Sequence, residues 1–146
     1  MRTSTWSPYW AKSPTNYASR VRLFVVRHAE AAPGEPDDLR PLTDAGLAAA
    51  YALGEALAAE NLDAVVSSPL LRARETAEAI ARAAGLEAAA DARLAPGASA
   101  DDVRAVARAG ETVVVVGHQP DCSEVVLALS GRDVSFAPGA VHEVEL

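Results

Sequence analysis

His28 and His118 are two of only three histidines in a chain of 146 residues, and each lies two positions beyond a run rich in valine. Arg27 immediately precedes the first, and Arg72 follows closely on a third such run, Ala64-Val65-Val66-Ser67-Ser68. Guanidinium groups are planar forks that match phosphate oxygens. An imidazole beside a bound phosphoryl group can act as a nucleophile or as an acid. Taken singly, each residue has an ordinary reading: a histidine after a strand is commonly a hydrogen-bonded or surface residue, and Arg72 could be solvated like Arg74 and Arg82. Two histidines and two arginines at three strand ends together point to an anion-binding site.

The elements that must position them alternate along the chain. Val21–Val26 reads as a strand buried on both faces, followed by a polar loop with Pro33, Gly34, Pro36 and Pro41. Thr43 can cap a helix of about 17 residues whose inner face would carry Leu47, Tyr51, Gly54, Leu57 and Ala58. Ala64–Ser67 is a second strand. Ser68-Pro69 reads as an N-cap and first-turn proline opening a helix through Ala84, with Gly85 ending it. A weak strand near Leu86–Ala90 comes next, then a helix over Asp101–Ala109 with Ser99 as its cap. Thr112–Val116 is the clearest strand, Asp121–Leu129 a helix and Ala140–Leu146 a closing strand. This order predicts an α/β three-layer sandwich, a mostly parallel central sheet with helices on both faces. In such sheets ligands bind beyond the carboxyl ends of the strands, where Arg27, His28, Ser67, Ser68, Gly117 and His118 fall.

Composition narrows the classes. Half the residues are hydrophobic and mean hydropathy is +0.07, which excludes a disordered chain. No apolar run reaches the roughly 18 residues of a membrane helix. One cysteine, Cys122, permits no internal disulfide and suggests a reducing, cytoplasmic setting. One cysteine and three histidines are too few for a Cys/His zinc site, and no other metal or cofactor is expected. The net charge of −7 argues against nucleic acid as partner. Residues 1–20 differ from the rest: they carry Arg2, Lys12 and Arg20, no acid, and four of the seven aromatic residues. With Pro8 and Pro14 breaking any helix, they read as a flexible tail appended to a single domain over residues 21–146.

At the residues themselves a resemblance becomes specific. Val25-Val26-Arg27-His28-Ala29-Glu30 resembles the Arg-His-Gly signature of the histidine phosphatase superfamily, the phosphoglycerate mutase-like fold. Arg40-Pro41-Leu42-Thr43-Asp44-Ala45-Gly46, Ser67-Ser68-Pro69-Leu70-Leu71-Arg72-Ala73-Arg74-Glu75-Thr76-Ala77 and Val116-Gly117-His118-Gln119-Pro120 are similar to three further elements of that family, in the expected order. The short chain and the Gly-His-Gln-Pro wording look most like the SixA-type phosphohistidine phosphatase branch. The resemblance implies a metal-independent phosphatase: His28 is the nucleophile that becomes phosphorylated, and Arg27, Arg72 and His118 hold the phosphoryl oxygens.

Two departures stand out. The glycine that usually follows the nucleophile is Ala29, and no acid occupies Arg93–Ser99, where larger members carry the glutamate that protonates the leaving group. Glu30 is the best-placed substitute, with Asp37 and Asp38 as alternatives. A chain without that acid suits phosphohistidine, whose imidazole can leave already protonated, so the expected partner is a phosphohistidine-bearing protein. The alternatives are a small-molecule phosphomonoesterase and a catalytically weak phospho-ligand binding module. Arg74, Glu75 and Glu78 read as a solvated helix face, His142 as structural or exposed, and Cys122 as without chemistry. The sequence does not specify an oligomeric state.

Overall fold

The computed structural model describes residues 20–146, so the tail expected over residues 1–20 lies, apart from Arg20, outside the described residues. Five strands form one sheet in the order β3-β2-β4-β1-β5: β1 Arg22–Arg27, β2 Ala64–Ser67, β3 Ala89–Ala90, β4 Thr112–Gly117 and β5 Val141–Glu145. All pairings are parallel except that of β5 with β1. The central strands are valine-rich because a pleated surface buried on both sides favours β-branched side chains. Leu23, Val25, Val66, Val113 and Val115 face one layer with α3 (Ala100–Val106) and α4 (Asp121–Ser130). Phe24, Val26, Val65, Val114 and Val116 face the other, with α1 (Asp44–Ala58) and α2 (Leu71–Ala83). The three-layer architecture expected from the sequence is the one observed.

The helix ends follow capping chemistry. Thr43 accepts from the Gly46 N–H at the start of α1, and Ser99 with Asp102 forms a reciprocal capping box on α3. Gly85 takes a left-handed φ of 73°, and the N–H groups of Gly85 and Leu86 return to the Arg82 and Ala81 carbonyls, closing α2 as expected.

Four local expectations need correction. Leu47 and Tyr51 are 38% and 42% exposed, and the inner face of α1 is Gly46, Ala50, Gly54 and Leu57. Close approach decides this: a Cβ on Gly46 would sit 2.1 Å from the Glu30 carbonyl oxygen, and one on Gly54 2.8 Å from that of Ala79. Ser68 does not cap α2, which starts at Leu71 with Leu70 in extended conformation as its cap residue. The Ser68 hydroxyl is instead buried among functional groups. The weak strand contracts to Ala89–Ala90, pairing only with Val66 and Ser67. The helix expected to Ala109 ends as α-helix at Val106, and a 3-10 turn over Ala107–Ala109 completes it.

Candidate active site

The sheet ladder continues beyond the strands and fixes the site. The His28 N–H donates to the Gly117 carbonyl at 3.0 Å, and the Ser68 N–H to the Val116 carbonyl at 2.9 Å. The chain therefore leaves β1, β2 and β4 at one edge, and the His28 and His118 rings stand with centroids 5.3 Å apart. His28 Nδ1 lies 2.8 Å from the Ala29 carbonyl oxygen. A carbonyl only accepts, so Nδ1 carries the proton and the Nε2 lone pair is free. Burial, and then the Arg72, Arg27 and Arg40 charges, hold the His28 pKa below its ordinary value despite the opposing Ala29 hydrogen bond. The ring is thus kept neutral and nucleophilic.

Each cation has a fixed seat. Arg27 donates through Nη1 to the Phe136 carbonyl at 3.0 Å, while its Nε is buried without a partner. Arg72, buried on α2, donates from Nη1 to the Asp37 carbonyl at 2.8 Å and from Nη2 to the Asp37 carboxylate at 3.2 Å. The other oxygen of that carboxylate accepts from Arg40 Nη1 at 2.9 Å, and Arg40 Nε donates to the Ala32 carbonyl. Hydrogen bonding from Arg40 is the largest influence holding the Asp37 carboxyl below its usual range, with Arg72 adding to it.

His118 is 5% exposed. Its Nε2 lies 2.8 Å from the Ser68 hydroxyl oxygen, which accepts from the Leu70 N–H, and its Nδ1 is buried without a partner. Burial above all, then the neighbouring His28 and Arg72, push its pKa down to about 4. The two buried side-chain polar atoms that lack a hydrogen bond among the described residues, Arg27 Nε and His118 Nδ1, thus both belong to this site. Buried polar groups are nearly always satisfied, so two unmet atoms in one place fit a site made for an oxygen-rich ligand.

Sequence reasoning missed several supporting residues. The fully buried Thr76 accepts from the Ala29 N–H at 3.0 Å and donates to the Arg72 carbonyl at 2.8 Å, tying the histidine loop to the arginine helix. Its place in the Thr-Ala end of the third motif, Ser67–Ala77, was the available signal. Glu75 is not a solvated residue: its carboxylate accepts from the Leu42 N–H at 2.8 Å and anchors the loop that carries Asp37 and Arg40. Arg74 and Glu78 are exposed, as expected. The Phe136 carbonyl, and Gly139 with its N–H directed at the Arg27 and His28 carbonyls, come from a loop with no chemical signature. His142 is structural, edge-on to Phe136 at 4.8 Å. The Glu30 carboxylate accepts from the Thr43 hydroxyl at 2.7 Å, at the start of α1, and Asp38 is exposed. Burial raises the Cys122 thiol to about 12, leaving it inert.

The comparisons bear on the fold and the family. The model of the histidine phosphatase superfamily (branch 1) matches residues 23–96. The protein histidine phosphatase SixA, solved with tungstate, superposes with a TM-score of 0.76 at 27% identity, over 84% of this chain and 86% of that one. A Nakamurella multipartitia protein assigned as a phosphohistidine phosphatase SixA is 31% identical over 83% of this chain and 75% of its own, with a TM-score of 0.63. At 15% identity, the phosphoglycerate mutase of Bacillus anthracis shares the fold alone, with a TM-score of 0.71 over 88% of each chain. No curated protein sequence is significantly similar to the chain.

Proposed function

The chain belongs to the histidine phosphatase superfamily, and from that premise we propose that it is a metal-independent phosphatase acting on phosphohistidine in a protein. The observation that carries the reading is the pair of unmet atoms, Arg27 Nε and His118 Nδ1, on the residue preceding His28 and on the ring whose centroid lies 5.3 Å from that of His28. A phosphoryl group brings three oxygens that can accept from Arg27, Arg72 and His118 while phosphorus faces the nucleophile. The Ser68 hydroxyl, already accepting from Leu70, sends its proton to His118 Nε2 and leaves Nδ1–H for a phosphoryl oxygen. The His28 lone pair forms the N–P bond as the leaving group departs, and water then cleaves the phosphohistidine to return His28 and phosphate.

The substrate class follows from the acid. Glu30 remains the candidate donor, but its carboxylate is engaged at the start of α1, where it accepts from the Thr43 hydroxyl at 2.7 Å. Asp37 is held ionised by two arginines. A substrate whose leaving group needs no proton from the enzyme suits this site, and phosphohistidine is one. In a paired assay, wild type and His28→Ala receive a phosphohistidine-bearing protein and, separately, phosphate monoesters, without added metal. Rapid His28-dependent loss of phosphohistidine with slow ester hydrolysis is the expected result. Faster ester hydrolysis would make the protein a metabolite phosphatase, and phosphate binding with no turnover would make it a binding module.

A further inference from the structure

The Asp37 carboxylate is 61% exposed, whereas the Arg72 side chain it caps is only 9% exposed. The carboxylate therefore marks the solvent side of the phosphate site. In the phosphatase reading His28 attacks from the strand ends, and in-line displacement carries the leaving group away from them toward solvent, the side on which Asp37 is exposed. Resting on the phosphatase reading above, we infer that Asp37 is a specificity residue: a fixed anion at the mouth that favours substrates whose departing ring is cationic while bound, phosphoimidazolium above all, over those whose leaving group departs as an anion.

The chemistry balances without an acid. The His28 Nε2 lone pair forms the new N–P bond while the substrate's P–N bond breaks. Its electron pair returns to the ring nitrogen that bore phosphorus. The proton already on the far ring nitrogen stays there, so a neutral imidazole leaves. Asp37 stabilises that proton in the complex and the transition state. An ester sends its electron pair to oxygen, and the developing anion meets the same carboxylate as a like charge. The geometry opposes an acid role, because both carboxylate oxygens accept hydrogen bonds from guanidinium groups.

The test compares wild type with Asp37→Asn, which keeps an oxygen for Arg72 or Arg40 and removes the charge. Three probes are used: a phosphohistidine peptide, p-nitrophenyl phosphate, whose anion needs no proton, and glycerol phosphate, whose alkoxide needs one. The ratio of kcat/KM for phosphohistidine to that for p-nitrophenyl phosphate falls about tenfold or more in Asp37→Asn, through slower phosphohistidine and faster ester hydrolysis. Parallel loss on all three would reduce Asp37 to a clamp for Arg72 and overturn the inference. Selective loss on glycerol phosphate would make Asp37 the acid and overturn it too. Should wild type leave phosphohistidine intact, the phosphohistidine reading fails separately, and the charge effect still requires p-nitrophenyl phosphate to be cleaved faster by Asp37→Asn.

Discussion

Replacing Thr76 by valine keeps the side-chain shape and deletes one hydroxyl. In the fold that hydroxyl accepts from the Ala29 N–H and donates to the Arg72 carbonyl. Arg72 O lies within α2 and keeps its helical partner, so the loss falls on Ala29, a fully buried residue whose N–H donates to that hydroxyl. Leaving a buried donor unmet costs about 1–3 kcal/mol. For a domain of this size that lowers Tm by roughly 3–10 °C, measured by thermal unfolding. The catalytic effect is the more specific one, because the next carbonyl along, Ala29 O, holds the His28 Nδ1 proton. A displaced peptide lets the ring rotate, and misplacement of a reacting group by about 1 Å costs on the order of 100-fold. kcat should fall by about 10- to 100-fold, with a smaller change in KM, and Thr76→Ser should recover most of it. A Thr76→Val enzyme as stable and as fast as wild type would refute the claim that this hydroxyl couples the histidine loop to the arginine helix.

Other consequences follow from the same contacts. Gly46→Ala improves helix propensity by about 1 kcal/mol, yet its Cβ would meet the Glu30 carbonyl at 2.1 Å, so thermal unfolding should show a net loss of about 1–2 kcal/mol. Asp63→Ala removes the carboxylate oxygen that accepts from both the Glu111 and Thr112 N–H groups at 2.9 Å, and denaturant titration should register about 1–3 kcal/mol of destabilisation. The His118 pKa, near 4 in the fold and ordinarily 6.5, means that the unfolded chain binds the extra proton between those values. Stability contributed by neutral His118 is therefore complete above about pH 6.5 and declines as pH falls toward 4, and His118→Asn should flatten that decline in pH-dependent unfolding. Arg72→Ala should weaken phosphate inhibition and slow turnover together, which steady-state kinetics can read directly.

The architecture was legible because its central strands are valine-rich and its helix ends carry Thr43, Ser99 and Gly85, each a local signal with one physical meaning. The candidate site residues were legible because the alternating order puts Arg27, His28 and His118 at the ends of neighbouring strands and Arg72 in the helix that follows a third. What escaped depends on distances between segments remote in sequence. Nothing local in α1 says that Gly46 and Gly54 must touch backbone, so the larger Leu47 and Tyr51 were assigned inward. Nothing local in α2 says that the carboxylate of Glu75 reaches the Leu42 peptide, or that Ser68 serves His118 rather than a helix end. Polar residues that hold other residues carry no periodicity of their own.

The central claim is that a phosphoryl group passes through His28. The direct measurement is to mix enzyme with radiolabelled phosphohistidine peptide, quench in alkali within the first turnover, and locate the label by peptide mapping. The account predicts label on His28, stable to alkali and lost in acid, and none on His28→Ala. Turnover of the peptide with no label on His28, or equal turnover by His28→Ala, would contradict it.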